Sequence, residues 1–325
     1  MSKPQTRIVF LDAATYGDLS LTAFTDTWNS TVYQVTAPAE TIQRLAGATV
    51  AVTNKVAIDK LIFDAPEARA LQLIAVAATG TDIIDKDAAA KRGVKVCNVP
   101  GYASQSVAQF TLALILELAS RASSYAAAVK DGEWQKSRVF ALLTFPNMEL
   151  AGKKLGIIGY GNIGKTVAKM AAGFGMEILV CARPGEAAIA AARIPLAELF
   201  RQADFISLHC PLTPDTKNLI NLQTLALMKP GAFLINTARG ALIDEPALIE
   251  ALRAKRIAGA ALDVISQEPP PGDHPIVVAA KQLDNLIVTP HTAWSSSEAR
   301  QRLLVEVKAN IEAFLRAEPR NLVTQ

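Results

Sequence analysis

Short apolar segments rich in β-branched residues alternate with alanine-rich amphipathic segments along most of the chain. The predicted strands are RIVFLD, TVYQVT, TVAVTN, LQLIAVAA and VKVCNV in a first series, and KKLGIIGY, MEILVCA, DFISLHC, AFLINTA, IAGAALDV and NLIVTP in a second. This alternation is typical of βαβ units built on parallel sheets. The two series therefore predict an α/β protein with two doubly wound parallel-sheet domains.

Two long helical patterns flank the second series. SVAQFTLALILELASRASSYAAAVKDGEW precedes it and is predicted to connect the domains or to cover an interface. SSSEARQRLLVEVKANIEAFLRAEP follows it, with Leu303, Val307 and Ile311 at helical spacing. We expect this last helix to pack on the first series. The predicted domains are therefore residues 1–98 plus 294–325, which form a discontinuous domain, and residues 99–293.

Composition narrows the class of protein. The chain has 325 residues, 50% of them hydrophobic, which is enough for two cores. It carries no apolar run of about 18 residues, and its start lacks the pattern of a secretory signal. The net charge of +3 without a basic cluster gives no support for nucleic-acid or membrane binding. Three scattered cysteines fit neither a disulfide framework nor a metal site, so we expect a cytoplasmic protein without a bound metal.

A glycine-rich turn joins the first strand of the second series to a helix. In the run from Gly159 through Gly161, Asn162 and Ile163 to Gly164, the first glycine allows a tight turn and the second lets a pyrophosphate approach the backbone. The third lets helix and strand pack closely, and the helix N-terminus offers amide groups to phosphate. A plain strand–helix turn is the alternative, but the position directly after LGIIG favours dinucleotide binding.

The end of the next strand bears on the choice of cofactor. Ala182 stands near the position where an acid usually binds the adenosine ribose, and Arg183 follows it. An arginine can pair with a 2′-phosphate by charge and by its planar set of donors. We therefore predict that NADP(H) is preferred, with NAD(H) possible. The alternative is that Arg183 stacks on adenine and that either cofactor is accepted.

Candidate catalytic and binding residues follow the strands of the second series. Ligands of open parallel sheets bind at the carboxyl ends of the strands, so these residues are expected near a ligand. Of the three histidines, His291 directly follows a strand and is the preferred general acid. His209 is expected to line a groove, and His274, in a proline-rich loop, is expected to be exposed or to cap a helix. Glu268 is the candidate partner of His291, with a solvated loop acid as the alternative. Arg239 is a candidate for binding a substrate carboxylate, with a surface or phosphate-contacting arginine as the alternative.

Six ordered motifs span nearly the whole chain: ATGTDIIDKDAAAKRGVKVCNVPGY, LGIIGYGNIGKTVAKMAAGFGM, HCPLTPDTKNLIN, MKPGAFLINTARGALIDEPAL, ALDVISQEPP and PHTAWSSSEARQRL. Together they resemble the D-isomer-specific 2-hydroxyacid dehydrogenase family, particularly its glycerate dehydrogenase and hydroxypyruvate reductase branch. The resemblance implies a flavodoxin-like substrate domain and a Rossmann cofactor domain that flank a cleft. It also implies a homodimer.

The resemblance assigns roles to single residues. Arg239 matches the substrate-binding arginine, Glu268 the acid of the pair, and His291 the proton donor. Further substrate-side positions are Asn54, Lys55, Thr79, Gly80 and Trp294, although packing explains Trp294 equally well. Further cofactor contacts are Cys210, Pro211, Thr216, Thr237, Ala238 and Asp263, where Asp263 has a turn cap as its alternative. Ala182 departs from the NAD-preferring members, which carry an acid there.

The sequence thus predicts NAD(P)H-dependent reduction of a small 2-keto acid to the D-2-hydroxy acid, with His291 as proton donor. Hydroxypyruvate or glyoxylate is the leading substrate. Two alternatives stay open: a dehydrogenase of a bulkier or phosphorylated 2-hydroxy acid, and a non-catalytic dinucleotide-sensing scaffold. The joint presence of Arg239, Glu268 and His291 favours catalysis over the scaffold.

Overall fold

The computed structural model describes residues 6–182 and 193–324. The chain divides into two compact units: Met1–Ala103 with Ser295–Gln325, here unit 1, and Ser104–Trp294, here unit 2. The boundaries predicted from the sequence, 98/99 and 293/294, compare with 103/104 and 294/295 in the structure.

Unit 1 is built on a parallel sheet that has five strands within the described residues. The strands are β1 (Arg7–Phe10), β2 (Asn29–Val32), β3 (Val50–Thr53), β4 (Leu73–Val76) and β5 (Lys95–Cys97). The helices are α1 (Thr22–Thr25), α2 (Thr41–Arg44), α3 (Lys60–Asp64), α4 (Lys86–Lys91) and, late in the chain, α12 (Ser297–Leu315). The strand order β2-β1-β3-β4-β5 is that of flavodoxin-like sheets.

The C-terminal segment is part of unit 1. The Ser296 side chain accepts a hydrogen bond from the Ala299 amide at 3.3 Å and caps α12. Leu303, Val307 and Ile311 are fully buried, as their helical spacing requires. Beyond the helix, the Val323 amide donates to the Val96 carbonyl at 2.8 Å, so the two ends of the chain form one unit.

Unit 2 contains the larger parallel sheet, with seven strands in its described residues. The strands are β6 (Lys154–Ile158), β7 (Glu177–Cys181), β8 (Arg193–Ile194), β9 (Phe205–Leu208), β10 (Phe233–Asn236), β11 (Gly259–Leu262) and β12 (Leu286–Val288). The helices are α5 (Ser104–Ser120), α6 (Ala122–Lys130), α7 (Asn162–Ala172), α8 (Leu196–Gln202), α9 (Leu222–Leu225), α10 (Glu245–Arg253) and α11 (Pro275–Ala280). The order β12-β11-β10-β9-β6-β7-β8 contains the dinucleotide-binding arrangement, which confirms the predicted fold class.

The long helical pattern before the glycine turn forms two helices rather than one. α5 and α6 meet at an angle of 60°, and Arg121 between them has a left-handed φ of 56°. The Arg121 guanidinium donates to the Asp284 carbonyl at 2.8 Å, a contact that a local pattern cannot reveal. Among the described residues no single helix is long and apolar enough to cross a membrane, although α5 and α6 pass that test as a bent pair.

Candidate active site

The glycine turn between β6 and α7 has the geometry that a phosphate needs. Gly159 has a φ of 99°, and a Cβ there would lie 2.4 Å from the Cys210 amide nitrogen. A Cβ on Gly164 would lie 2.1 Å from the Gly159 carbonyl oxygen. A Cβ on Gly161 would meet no described atom within 4 Å. Close packing therefore excludes a side chain at Gly159 and Gly164. Gly161 leaves open space at the start of α7.

A cavity of about 810 Å³ opens beside this turn. Its volume lies in the usual range of cofactor sites, roughly 300–1,000 Å³. Six of the predicted cofactor residues line it: Gly159, Gly161, Ala182, Cys210, Pro211 and Thr216. Asn162 and Ile163 begin α7 next to it. The described residues that line the cavity therefore fit a dinucleotide. The predicted cofactor residue Arg183 lies outside the described residues.

Arg193 lines the same cavity and was not among the residues predicted from the sequence. It opens β8, where it lies in register with Val180 of β7. The Ala182 amide donates to the Ile194 carbonyl at 2.9 Å, which places the end of β7 beside β8. A two-residue strand carries no periodic signal, so the available hint was the basic residue in ARIP ahead of α8.

His209 lies in the cavity wall without the properties of a proton donor. Its Nε2 is 2.8 Å from the Ser207 hydroxyl, and its amide donates to the Ile158 carbonyl at 2.7 Å. Burial lowers the pKa of His209 to about 4, because removal from water disfavours the charged imidazole. The ring is therefore neutral at pH 7. It lines the cavity, and its lack of a reactive role stays a prediction.

This neutral histidine makes stability depend on pH. Since its pKa is about 4 in the folded chain and about 6.5 when unfolded, the unfolded chain binds the extra proton as pH falls from 6.5 to 4. We expect acidification from pH 7 to 4.5 to cost about 2–3 kcal/mol through this group. Urea unfolding at both pH values measures the loss of unfolding free energy on acidification. This loss should be about 2–3 kcal/mol smaller in His209→Gln than in the unaltered chain. Equal acid sensitivity in the two proteins would contradict the assignment.

Arg239 follows β10 on a backbone that Asn236 holds in place. The Asn236 side chain donates to the Arg239 carbonyl at 2.8 Å and accepts from the Ala238 amide at 3.0 Å. Thr237 is buried, with its hydroxyl 3.0 Å from that of Thr111. Thr237 and Ala238 do not line the 810 Å³ cavity described above. The guanidinium is half-buried and donates to the Ala238 carbonyl at 2.8 Å.

His291 and Glu268 form a close pair in unit 2. His291 Nδ1 lies 2.6 Å from Glu268 Oε2, and the side chains keep 26% and 32% of their exposure. A carboxylate only accepts, so Nδ1 carries the proton of this bond. The Trp294 indole donates to the His291 carbonyl at 3.0 Å. The arrangement is that of an imidazole oriented by an acid.

Asp263 holds the segment that carries His291. It is 1% exposed, and its carboxylate accepts from the Thr289 hydroxyl at 2.6 Å and from the amides of Thr292 and Ala293 at 2.9 and 2.8 Å. Its carbonyl accepts from the His291 amide at 2.8 Å. These bonds match the cap alternative for Asp263. Its role as a cofactor contact stays a prediction.

The predicted substrate residues of unit 1 follow two neighbouring strands, β3 and β4. Asp12 is buried and accepts from the amides of Asn54 and Lys55 at 3.0 and 2.6 Å. The Thr79 hydroxyl donates to the Val99 carbonyl at 2.9 Å, with Gly80 next in the chain. Both turns stand at carboxyl ends of the sheet. Their binding roles stay predictions.

The cysteines have no nucleophilic character. Burial raises the pKa of Cys97 to about 12 and that of Cys181 to about 11, and it also raises the pKa of Cys210. All three thiols are free. In residues 6–182 and 193–324, no group of three or more His, Cys, Asp or Glu side chains is placed to hold a metal ion.

Comparison with known proteins decides the family. Residues 112–293, more than half of the chain, match the model described as "D-isomer specific 2-hydroxyacid dehydrogenase, NAD binding domain". The chain belongs to the D-isomer-specific 2-hydroxyacid dehydrogenase family. This dehydrogenase is 42% identical to a glycerate dehydrogenase of Methylorubrum extorquens, over 98% of each chain. It is 36% identical to a hydroxypyruvate reductase of Blautia hydrogenotrophica, over 88% of each.

A solved structure resembles the dehydrogenase at the level of the fold. It is an acyclic imino acid reductase in complex with NADPH and D-Arg, with a TM-score of 0.85 and 30% identity, covering 98% of this chain and all of that one. The family match confirms that the dehydrogenase is an oxidoreductase with a domain for a nicotinamide dinucleotide. The glycine turn and the residues Arg239, Glu268 and His291 all fall within the matched region.

Proposed function

We propose that the dehydrogenase reduces hydroxypyruvate or glyoxylate to the corresponding D-2-hydroxy acid. The observation that carries this proposal is the 2.6 Å pair of His291 Nδ1 and Glu268 Oε2. The unit that holds this pair also holds the dinucleotide turn and Arg239. The names of the relatives, glycerate dehydrogenase and hydroxypyruvate reductase, support a small substrate.

Three side chains have separate roles in the proposed reaction. The Arg239 guanidinium binds the substrate carboxylate, because its planar donors match two carboxylate oxygens. When bound, NAD(P)H supplies the hydride that reduces the keto carbon. His291, protonated and oriented by Glu268, gives its Nε2 proton to the carbonyl oxygen as negative charge develops there. In unit 1, the turns of Asn54–Lys55 and Thr79–Gly80 are proposed to contact the substrate.

A panel of keto acids tests this function. Initial rates with glyoxylate and hydroxypyruvate are compared with those for 4-methyl-2-oxopentanoate and phosphohydroxypyruvate. We expect the first two to have the highest kcat/KM. A preference for the branched or phosphorylated acid would favour the bulkier-substrate alternative. Cofactor binding without turnover of any member would favour the scaffold alternative.

We further propose that NADP(H) is preferred over NAD(H). Ala182 lines the cavity at the end of β7 and adds no negative charge that would repel a 2′-phosphate. Arg193 lines the same cavity on the neighbouring strand and adds a cation to the one that the sequence supplies at Arg183. The related acyclic imino acid reductase was solved with NADPH.

Ala182→Asp should reverse this preference. An aspartate there repels the 2′-phosphate and accepts hydrogen bonds from the ribose hydroxyls of NADH. Because juxtaposed like charges cost a few kcal/mol, the ratio of kcat/KM for NADPH over NADH should fall roughly 10- to 100-fold. Ala182→Ser, which adds a neutral hydroxyl, is the matched control and should change the ratio far less. An unchanged ratio in Ala182→Asp would place the ribose elsewhere.

We also propose a homodimer formed through the segment that follows α6. This segment exposes Phe140 by 93%, Leu143 by 82% and Val139 by 63%. Neighbouring large apolar side chains of this kind mark association surfaces. Phe140→Asp with Leu143→Asp should halve the mass measured by light scattering. Val35→Asp, at a separate exposed position in unit 1, should leave it unchanged; a monomeric unaltered chain would refute the proposal.

The three free thiols support a cytoplasmic location. Disulfides are rare in the reducing cytosol, and secreted proteins tend to pair their cysteines. Cys97 and Cys181 are buried in the cores of their units, and Cys210 is half-buried. Cell fractionation with compartment markers tests the location.

A further inference from the structure

Glu245 is a buried acid that the proposed reaction does not use. It opens α10 and is 7% exposed. Its Oε1 accepts from the Ser266 amide at 2.7 Å, and its Oε2 accepts from the Ser266 hydroxyl at 2.8 Å. Burial of a carboxylate is costly unless hydrogen bonds replace water. Both oxygens of the Glu245 side chain are therefore bonded to one residue of the neighbouring loop, Ser266.

His274 contacts the same carboxylate from the far end of that loop. The expectation of an exposed side chain was wrong, because His274 is 5% exposed. It stands just before α11, and its side chain makes no capping hydrogen bond to that helix. Its Nε2 lies 3.6 Å from Glu245 Oε2 and 3.4 Å from the Ser266 hydroxyl. The loop from Ser266 to His274 therefore has both of its ends beside Glu245. Most of the residues between those ends are exposed.

This loop carries Glu268. The Ile265 amide donates to Glu268 Oε1 at 3.0 Å, and Glu268 Oε2 pairs with His291 Nδ1 at 2.6 Å. The Ile265 amide binds Glu268, and the next residue, Ser266, is bonded to Glu245. A displacement of Ser266 would move the carboxylate that orients His291.

Gly240 packs against the next peptide, Ile265–Ser266. A Cβ on Gly240 would lie 2.0 Å from both the carbonyl carbon and the carbonyl oxygen of Ile265, and 2.5 Å from the Ser266 nitrogen. The backbone after Arg239 thus packs directly on the Ile265–Ser266 peptide. That peptide therefore has backbone contact at Gly240, and its own N–H donates to the Glu245 carboxylate.

We propose that Glu245 and His274 are positioning residues that fix Ser266, and through it the Glu268 carboxylate against His291. The inference rests on the proposed function of His291 as proton donor. Neither residue is proposed to touch the reacting atoms. Small displacements of a catalytic group are costly, since about 1 Å can lower a rate by roughly 100-fold.

Kinetics of matched variants test the proposal. Glu245→Gln keeps the shape of the side chain but replaces one acceptor oxygen with an amide group. Ser266→Ala removes a hydroxyl from an exposed loop, so the substitution requires no repacking of the core. Both should lower kcat for keto-acid reduction by roughly 10- to 100-fold, with the Kd of NADPH unchanged. Asp244→Ala removes the neighbouring cap of α10, whose carboxylate accepts from Ala247, and should leave kcat within about twofold. Unchanged kcat in both Glu245→Gln and Ser266→Ala would overturn the proposal.

A spectroscopic readout separates this inference from the proposed function. The chain has three histidines, so the proton of the His291–Glu268 hydrogen bond can be assigned by its loss in His291→Gln. We expect a downfield imidazole proton in the unaltered, cofactor-free chain. In Glu245→Gln and Ser266→Ala it should move upfield and exchange faster, and in Asp244→Ala it should stay. Because this signal needs no turnover, an unchanged signal refutes the positioning role, whereas a changed signal in a chain inactive on all keto acids refutes only the proposed function.

Discussion

His291→Ala should lower kcat for hydroxypyruvate reduction by about 100- to 10,000-fold, the usual contribution of a general acid. The structure gives the physical reason: Nδ1 lies 2.6 Å from Glu268 Oε2, so the carboxylate orients the imidazole. Steady-state rates with saturating cofactor and substrate measure the effect. Glu268→Gln keeps the hydrogen-bonding shape without the charge and should show a smaller loss.

Cofactor affinity is the control for this variant. The glycine turn and the 810 Å³ cavity are lined by other residues, so the Kd of NADPH should be the same in His291→Ala and in the unaltered chain. A kcat near normal in His291→Ala would exclude His291 as the proton donor. His209 would not replace it, because its pKa of about 4 keeps that imidazole neutral at pH 7.

Arg239→Ala should lower kcat/KM for the keto acid by about 30- to 4,000-fold. Truncating one partner of a hydrogen-bonded charge pair costs roughly 2–5 kcal/mol, and each 1.4 kcal/mol is about tenfold. Arg239→Lys keeps the charge but loses the planar set of donors. Its kcat/KM should therefore lie between those of Arg239→Ala and the unaltered chain. Initial rates over a range of keto-acid concentrations measure both.

The turn around Arg239 should survive the substitution. The Asn236 side chain bonds to the backbone of residues 238 and 239, which the substitution leaves in place. Far-UV circular dichroism and the Kd of NADPH should therefore be unchanged in Arg239→Ala. A KM for the keto acid equal to that of the unaltered chain would show that another cation binds the carboxylate.

The residues that the sequence revealed best stand at strand ends. In a parallel sheet, those ends share one edge, so Gly159, Ala182 and Cys210 were expected near one ligand, and all three line one cavity. The turn glycines were recognisable because packing at Gly159 and Gly164 excludes a side chain. These features follow from short-range chemistry and a general property of the sheet.

Tertiary contacts account for what was missed. The predicted strand TVYQVT spans residues 31–36, whereas β2 is Asn29–Val32, because pairing with β1 sets its register. β8 was not predicted, and Arg193 with it. The break at Arg121 and the bonds of Asp263 depend on residues far away in the sequence. The 2.6 Å distance between His291 and Glu268 likewise depends on how two separate loops meet.

The proposed activity and cofactor preference are both measured by the initial rate of NADPH oxidation with hydroxypyruvate, at limiting cofactor and with NADH in parallel. We expect rapid oxidation, formation of D-glycerate and a higher kcat/KM with NADPH. A higher kcat/KM with NADH would contradict the ribose pocket proposed around Ala182. No oxidation of either cofactor by hydroxypyruvate or glyoxylate, in a chain that binds them, would contradict the proposed function itself.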